Sequence, residues 1–187
     1  MEDFENTIQL LKNVLSDKNC DRMNKSVVTG YLGELLVYQK LQKEELKPEQ
    51  LGKQSGYDIH VKNVKIEVKT SSLKDDGFGI TNWGWTLLRK NQEIKYDLVI
   101  CVALDDNLNV EGYYCISKKN LTSFLSPHGR FTSIMNRFQK FPQAPDESSS
   151  KKFQDTYLRT QQLFDEGKAL KIHPNESLGE IIRKINH

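Results

Sequence analysis

The chain has 187 residues and a formal net charge of +2, a length suited to one domain and a charge too small to announce a nucleic-acid partner by bulk electrostatics. The longest apolar run, Leu98 to Leu104, is far short of the ~20 residues that cross a bilayer. The acidic start Met1-Glu2-Asp3 lacks the basic head and apolar stretch of a signal peptide, so membrane and secreted classes are not expected.

Phe4, Ile8, Leu11 and Leu15 recur at three- and four-residue steps and predict a first amphipathic helix. A second helix is expected from about Lys25 to Glu45, with Pro48 and Gly52 marking its exit. Inside it, Gly30 and Gly33 each cost about 1 kcal/mol relative to Ala. Close approach of another backbone or a ligand would explain both, and Glu34 lies one turn beyond Gly30.

Two alternating segments follow, Tyr57 to Lys62 and Val64 to Thr70, and both read as strands. A two-residue turn at Lys62-Asn63 would set Val61 opposite Val64, Ile59 opposite Ile66 and Tyr57 opposite Val68. All the apolar residues then fall on one face. The same register sets Asp58 opposite Glu67, with Cβ atoms roughly 5 Å apart. Like charges so placed destabilise a sheet unless something compensates. Either Lys65 and Lys69 neutralise a solvated face, or a divalent cation sits between the carboxylates. Mg2+ suits the second arrangement, since it takes one or two protein carboxylates and keeps several waters.

Asp75 to Gly79 reads as a loop, and Tyr96 to Leu104 as a strand buried on both faces. Asp105-Asp106-Asn107 makes a turn, and Asn109 to Ile116 the return strand. Pro142 to Lys152 reads as a mobile loop. Helices follow over about Lys152 to Glu166 and from Ser177, where Ser177 and Glu180 supply a capping box. The order of helices, strands and helices argues for a single α/β domain over 1–187, with a central mixed β-sheet flanked by α-helices.

Asp58 followed by Glu67-Val68-Lys69 across a short hairpin resembles the signature of the PD-(D/E)XK nuclease superfamily, which includes many type II restriction endonucleases. The strand from Tyr96 resembles the central strand after that motif. Gly30-Tyr31-Leu32-Gly33-Glu34 resembles the helix that often adds a further acid. The resemblance spans about Lys25 to Leu104 and departs at Gly56-Tyr57-Asp58, where no proline precedes the aspartate. It implies a restriction-endonuclease-like core in which Asp58 and Glu67 hold Mg2+ with the backbone carbonyl of Val68. It implies also that Lys69 orients water and stabilises charge on the phosphate, and that Glu34 joins the site. The expected activity is hydrolysis of phosphodiester bonds in double-stranded DNA.

A chain of this size resembles the cleavage subunit of a heterodimeric type IIS restriction system. A larger recognition subunit, or a second copy, would then complete double-strand cleavage. The other readings are a Holliday-junction resolvase and a non-catalytic DNA-binding module on the same fold.

The remaining features read more plainly. Gly112 to Pro145 holds no acid and carries Lys118, Lys119, Arg130, Arg137 and Lys140, which suits phosphate contact or an ordinary solvated face equally. Trp83 and Trp85 read as core, Arg89 and Lys90 suit phosphate contact or a solvated surface equally, and Gln92 has no place fixed by spacing. His60 borders the candidate site as a bystander, and His128 reads as a turn residue. Cys20, Cys101 and Cys115 form an odd set without a metal-binding spacing, which suits a reducing cytoplasm.

Overall fold

A computed structural model describes residues 2–17, 19–50, 56–75, 81–89, 93–123, 131–136 and 162–185. The chain opens with α1 (Glu2–Ser16) and α2 (Arg22–Lys43). The Phe4 ring stacks on Tyr38 with centroids 5.4 Å apart. That contact joins the start of α1 to the end of α2, so the two helices run antiparallel. α2 begins three residues before its apolar pattern because Asp21 caps it, accepting from the amides of Met23 and Asn24 at 2.9 Å.

The strands are β1 (Pro48–Gln50), β2 (Ile59–Val61), β3 (Val64–Ser72), β4 (Lys74–Asp75), β5 (Thr81–Arg89), β6 (Leu98–Leu104), β7 (Val110–Ser117), β8 (Phe131–Asn136) and β9 (Ala169–Ile172). Short helices α3 (Lys118–Ser123) and α4 (Leu178–Ile185) complete the named elements. Six strands form one mixed sheet in the order β1-β2-β3-β6-β7-β9, parallel at β3–β6 and antiparallel elsewhere. β6 lies inside that sheet with all seven residues buried. Leu98, Ile100, Val102 and Leu104 meet the core formed with α1, α2 and α4. Val99, Cys101 and Ala103 meet a second core containing Trp83, Trp85, Tyr96, Tyr114, Leu121 and Leu163. The expected mixed α/β architecture, a central sheet flanked by helices, is therefore present.

Part of the second face is covered by something the periodicity did not suggest. β4, β5 and β8 form a separate antiparallel ribbon. Its Trp83 and Trp85 point into the core and donate from Nε1 to the carbonyls of Leu104 (2.8 Å) and Val102 (3.2 Å). Both indoles thus bury their rings and still satisfy their donors. Asp75 ends β4, whereas residues 76–79 of the expected loop lie outside the described residues.

β9 joins the sheet between the two helices expected near the end of the chain. Of the helix expected over Lys152 to Glu166, residues 162–165 are helical, Glu166 is in a turn and residues 152–161 lie outside the described residues, as does all of the expected loop at Pro142 to Lys152. α4 starts where Ser177 indicated, with the Glu180 amide donating to Ser177 Oγ at 3.3 Å. Its principal cap comes from far away. The Glu44 carboxylate accepts from the Ser177 hydroxyl (2.8 Å) and the amides of Leu178 (3.1 Å) and Gly179 (2.6 Å). Among the described residues no helix is long and apolar enough to cross a membrane.

Candidate active site

The β2–β3 hairpin sets the site. Lys62 takes φ +54 at the turn, as tight two-residue hairpins demand of their first central residue. Pairing runs Val61↔Val64, His60↔Lys65 and Ile59↔Ile66, the register expected from the alternation. Ile59, Val61, Val64, Ile66 and Val68 all enter the core under α2. Glu67 and Lys69 alternate to the opposite face.

The pairing does not continue to Tyr57↔Val68. Residues 56–58 bend away from the strand, and Gly56 takes φ +79. Tyr57 consequently leaves the face of Ile59 and Val61 and packs against the second core, 6.2 Å from the His60 ring. This corrects the expected placement: alternation holds only while the backbone stays extended, and β2 is three residues long.

The bend gives Asp58 its position. Its amide still donates to the Ile66 carbonyl at 2.9 Å, while its Oδ2 accepts from the Val68 amide at 2.7 Å. The carboxylate thereby replaces the strand neighbour that β2 no longer provides. The carbonyl and amide of one residue in an extended strand point to the same side, so the Val68 carbonyl also faces the Asp58 edge.

Glu67 is 9% exposed. Burial raises its pKa above the ordinary carboxylate value and the charge of Asp58 raises it further, while Lys69 partly offsets both. Lys69 and Glu67 form an ion pair. Of the two lysines that might balance the acids, Lys65 lies elsewhere, its ammonium 5.3 Å from the centre of the Tyr57 ring. The structure therefore brings Asp58, Glu67 and Lys69 together.

Glu34 is half-buried on α2, beside the turn that meets β3. A Cβ on Gly33 would collide with Thr70 Oγ1. The close approach inferred from the glycines is therefore real at Gly33. At Gly30 it is not: a Cβ there meets nothing within 4 Å.

The donor set fits a hard divalent cation such as Mg2+. Asp58 and Glu67 supply carboxylate oxygens of interacting charge, and Val68 a carbonyl on the same edge. No cluster of three or more His, Cys, Asp or Glu residues suited to a metal occurs among the described residues. Mg2+ ordinarily makes do with one or two carboxylates and several waters.

Residues 33–112 match the family model described as Protein NO VEIN, C-terminal. That NO VEIN match contains Glu34, Asp58, Glu67, Val68 and Lys69, together with β6 and the start of β7. Among solved structures, the chain is similar to the bacterial homing endonuclease I-Ssp6803I at 16% identity and a TM-score of 0.45, over 76% of this chain and 95% of that one. No curated protein matches significantly.

Tyr96 was not singled out by motif. Buried beside Glu67, its hydroxyl donates to the Leu87 carbonyl at 3.4 Å. Burial first, and the Glu67 charge second, push its pKa far above the ordinary phenol value. Its position just before the apolar run was the available signal. His60 Nδ1 lies 3.8 Å from Glu49 Oε2, which suits its reading as a bystander. Trp83 and Trp85 are core, as read. Lys118 donates to the Ile94 carbonyl at 2.9 Å. The side chains of Arg89, Lys90, Gln92, His128, Arg130, Arg137 and Lys140 lie outside the described residues.

Proposed function

We propose that this protein is a Mg2+-dependent DNA endonuclease of the PD-(D/E)XK type, hydrolysing phosphodiester bonds at Asp58, Glu67 and Lys69. The observation that carries this reading is the meeting of two carboxylates and one ammonium at a single edge of β3. Burial first, and the charge of Asp58 second, oppose ionisation of Glu67 there, an arrangement that makes sense if a cation is bound.

Mg2+, when bound, supplies positive charge that acidifies water and offsets negative charge accumulating on the phosphate. The chain does the rest. The Val68 amide holds one oxygen of Asp58 in place, and the Asp58 carboxylate would contribute an anionic oxygen to the cation. Glu67 contributes a second anionic oxygen from a largely buried position. Lys69 carries three donors, enough to hold Glu67 and also a phosphate oxygen or a water. Glu34 is proposed as a further acid entering from α2. The finer proposal is a restriction-type cleavage subunit, with a larger sequence-reading subunit or a second copy as partner.

Supercoiled plasmid and branched DNA incubated with titrated Mg2+ or with EDTA test this reading. Mg2+-dependent cleavage that Glu67→Ala abolishes is expected, and cleavage persisting in EDTA or in Glu67→Ala overturns the assigned chemistry. Preference for branched over linear DNA would select a junction resolvase. Binding without cleavage would select a non-catalytic module.

A further inference from the structure

Past the carboxyl ends of β3 and β6 lies a cavity of about 640 Å3 that the proposed chemistry does not use. It is lined by Lys25, Ser26 and Thr29 of α2, Thr70, Ser71 and Ser72 of β3, and by Leu15, Cys20 and Leu108. Residues from both faces of β3 contribute, so the cavity wraps around the end of the strand that carries Glu67 and Lys69.

Its polar inventory is one-sided. Among the described residues, five hydroxyls and one ammonium line it, with no carboxylate. Thr29 donates to the Lys25 carbonyl (2.7 Å) and Ser71 to the Ser72 carbonyl (3.1 Å), so those two hydroxyls retain acceptors alone. Lys25, Ser26 and Ser72 keep donors to offer. The Lys25 ammonium makes no ion pair among the described residues, whereas Thr70 Oγ1 is buried against Gly33 and gives the cavity no donor. Three donor side chains, with no acid among the described lining residues, describe a pocket for an anion rich in acceptor oxygens, and its volume exceeds what a lone phosphate fills.

We infer that this cavity binds a backbone phosphate and its nucleotide on the same DNA strand, flanking the bond that Lys69 addresses. At about 3.3 Å per residue, Ser72 lies roughly 10 Å along β3 from Lys69, close enough for one DNA strand to reach both. The inference rests on the nuclease reading for its substrate and adds a binding site for it. Lys25 neutralises the flanking phosphate, and the hydroxyls of Ser26 and Ser72 donate to it.

The test measures binding without turnover: fluorescence anisotropy of a labelled DNA duplex in EDTA across a salt series, with the full chain, Lys25→Ala, Lys25→Arg and Ser72→Ala, each checked for folding by circular dichroism. A single lost phosphate contact lowers the slope of log K against log salt by about 1. That loss is expected for Lys25→Ala, with recovery in Lys25→Arg and a several-fold weaker Kd in Ser72→Ala. Unchanged slope and Kd in folded Lys25→Ala overturn the inference while leaving Mg2+-dependent cleavage untouched. Lys25-dependent binding in a protein that never cuts DNA would sink the nuclease reading and keep the cavity. Equal Lys25-dependent affinity for a free deoxynucleoside monophosphate, displacing no duplex, overturns the assignment to a DNA strand.

Discussion

At the scale of single residues, Glu67 couples activity to stability with opposite signs. Its folded pKa is raised, so the unfolded chain releases the proton first as pH increases. Between those two pKa values the folded state binds more protons, and its stability falls with rising pH. Ionisation of this side chain is therefore opposed in the folded state, by burial first and by Asp58 second. Glu67→Gln removes the charge and keeps the shape. Cleavage should disappear, while Tm in EDTA rises by on the order of a few degrees. A fall in Tm on differential scanning calorimetry would show instead that the Lys69 ion pair outweighs burial. Lys69→Ala should behave differently. The two carboxylates and Val68 survive, so the Mg2+ concentration giving half-maximal rate changes little, whereas kcat drops by about 10²-fold or more. A variant that regains kcat at high Mg2+ would make Lys69 a metal-site residue.

At the scale of elements, the two glycines of α2 separate what a helix loses from what a contact requires. Gly33 lies against Thr70, and any Cβ there displaces β3 or its threonine. Gly33→Ala should cost about 1–3 kcal/mol in urea unfolding. Gly30 has open space, so Gly30→Ala should stabilise the protein by about 1 kcal/mol. Equal effects would deny the contact. The Glu44 cap of α4 predicts a pH dependence. Burial pushes its pKa up, but hydrogen bonds from Gly179, Ser177, Leu178 and Lys40 outweigh that and leave it below the usual value. A lowered folded pKa contributes stability that is present in full above the unfolded value near 4.5 and is lost as pH falls through the folded value. Glu44→Gln should lower stability by about 1–2 kcal/mol at neutral pH. The two unfolding curves should converge as pH falls through the folded value, and parallel curves would remove Glu44 from the cap. None of this was legible from local sequence, because Glu44 stands 133 to 135 residues from its partners. The hairpin register was legible, since Ile59, Val61, Val64 and Ile66 alternate within one turn of each other. β5 carries Trp83, Trp85 and Leu87 at period two, a strand signal concealed by Gly84 and the polar residues between. β1 and β9 are three and four residues long, and only their distant neighbours make them strands. Tyr57 shows the converse: its pattern was right for a strand, and the bend at Gly56 ended the strand first.

At the scale of the whole molecule, the proposed function sets one Asp58–Glu67–Lys69 site against two DNA strands of opposite polarity. A single copy would then meet one scissile phosphate in the proper orientation, so the first product from supercoiled plasmid should be the nicked circle. Linear product then needs a second site, from another copy or from a partner subunit. If the second site is another copy, the linear fraction at early times should climb with protein concentration while the first-nick rate per molecule stays constant. Subunit mixing makes the argument decisive. Excess Glu67→Gln protein retains the fold and the surfaces through which copies meet, yet supplies no second cut. Added to a fixed amount of active protein, it should hold plasmid at the nicked stage without slowing the first nick. If linear product instead forms undiminished on agarose gels, the two cuts are independent encounters and no paired assembly of this chain is involved. If linear product appears only when a sequence-reading subunit is added, that subunit carries the second site.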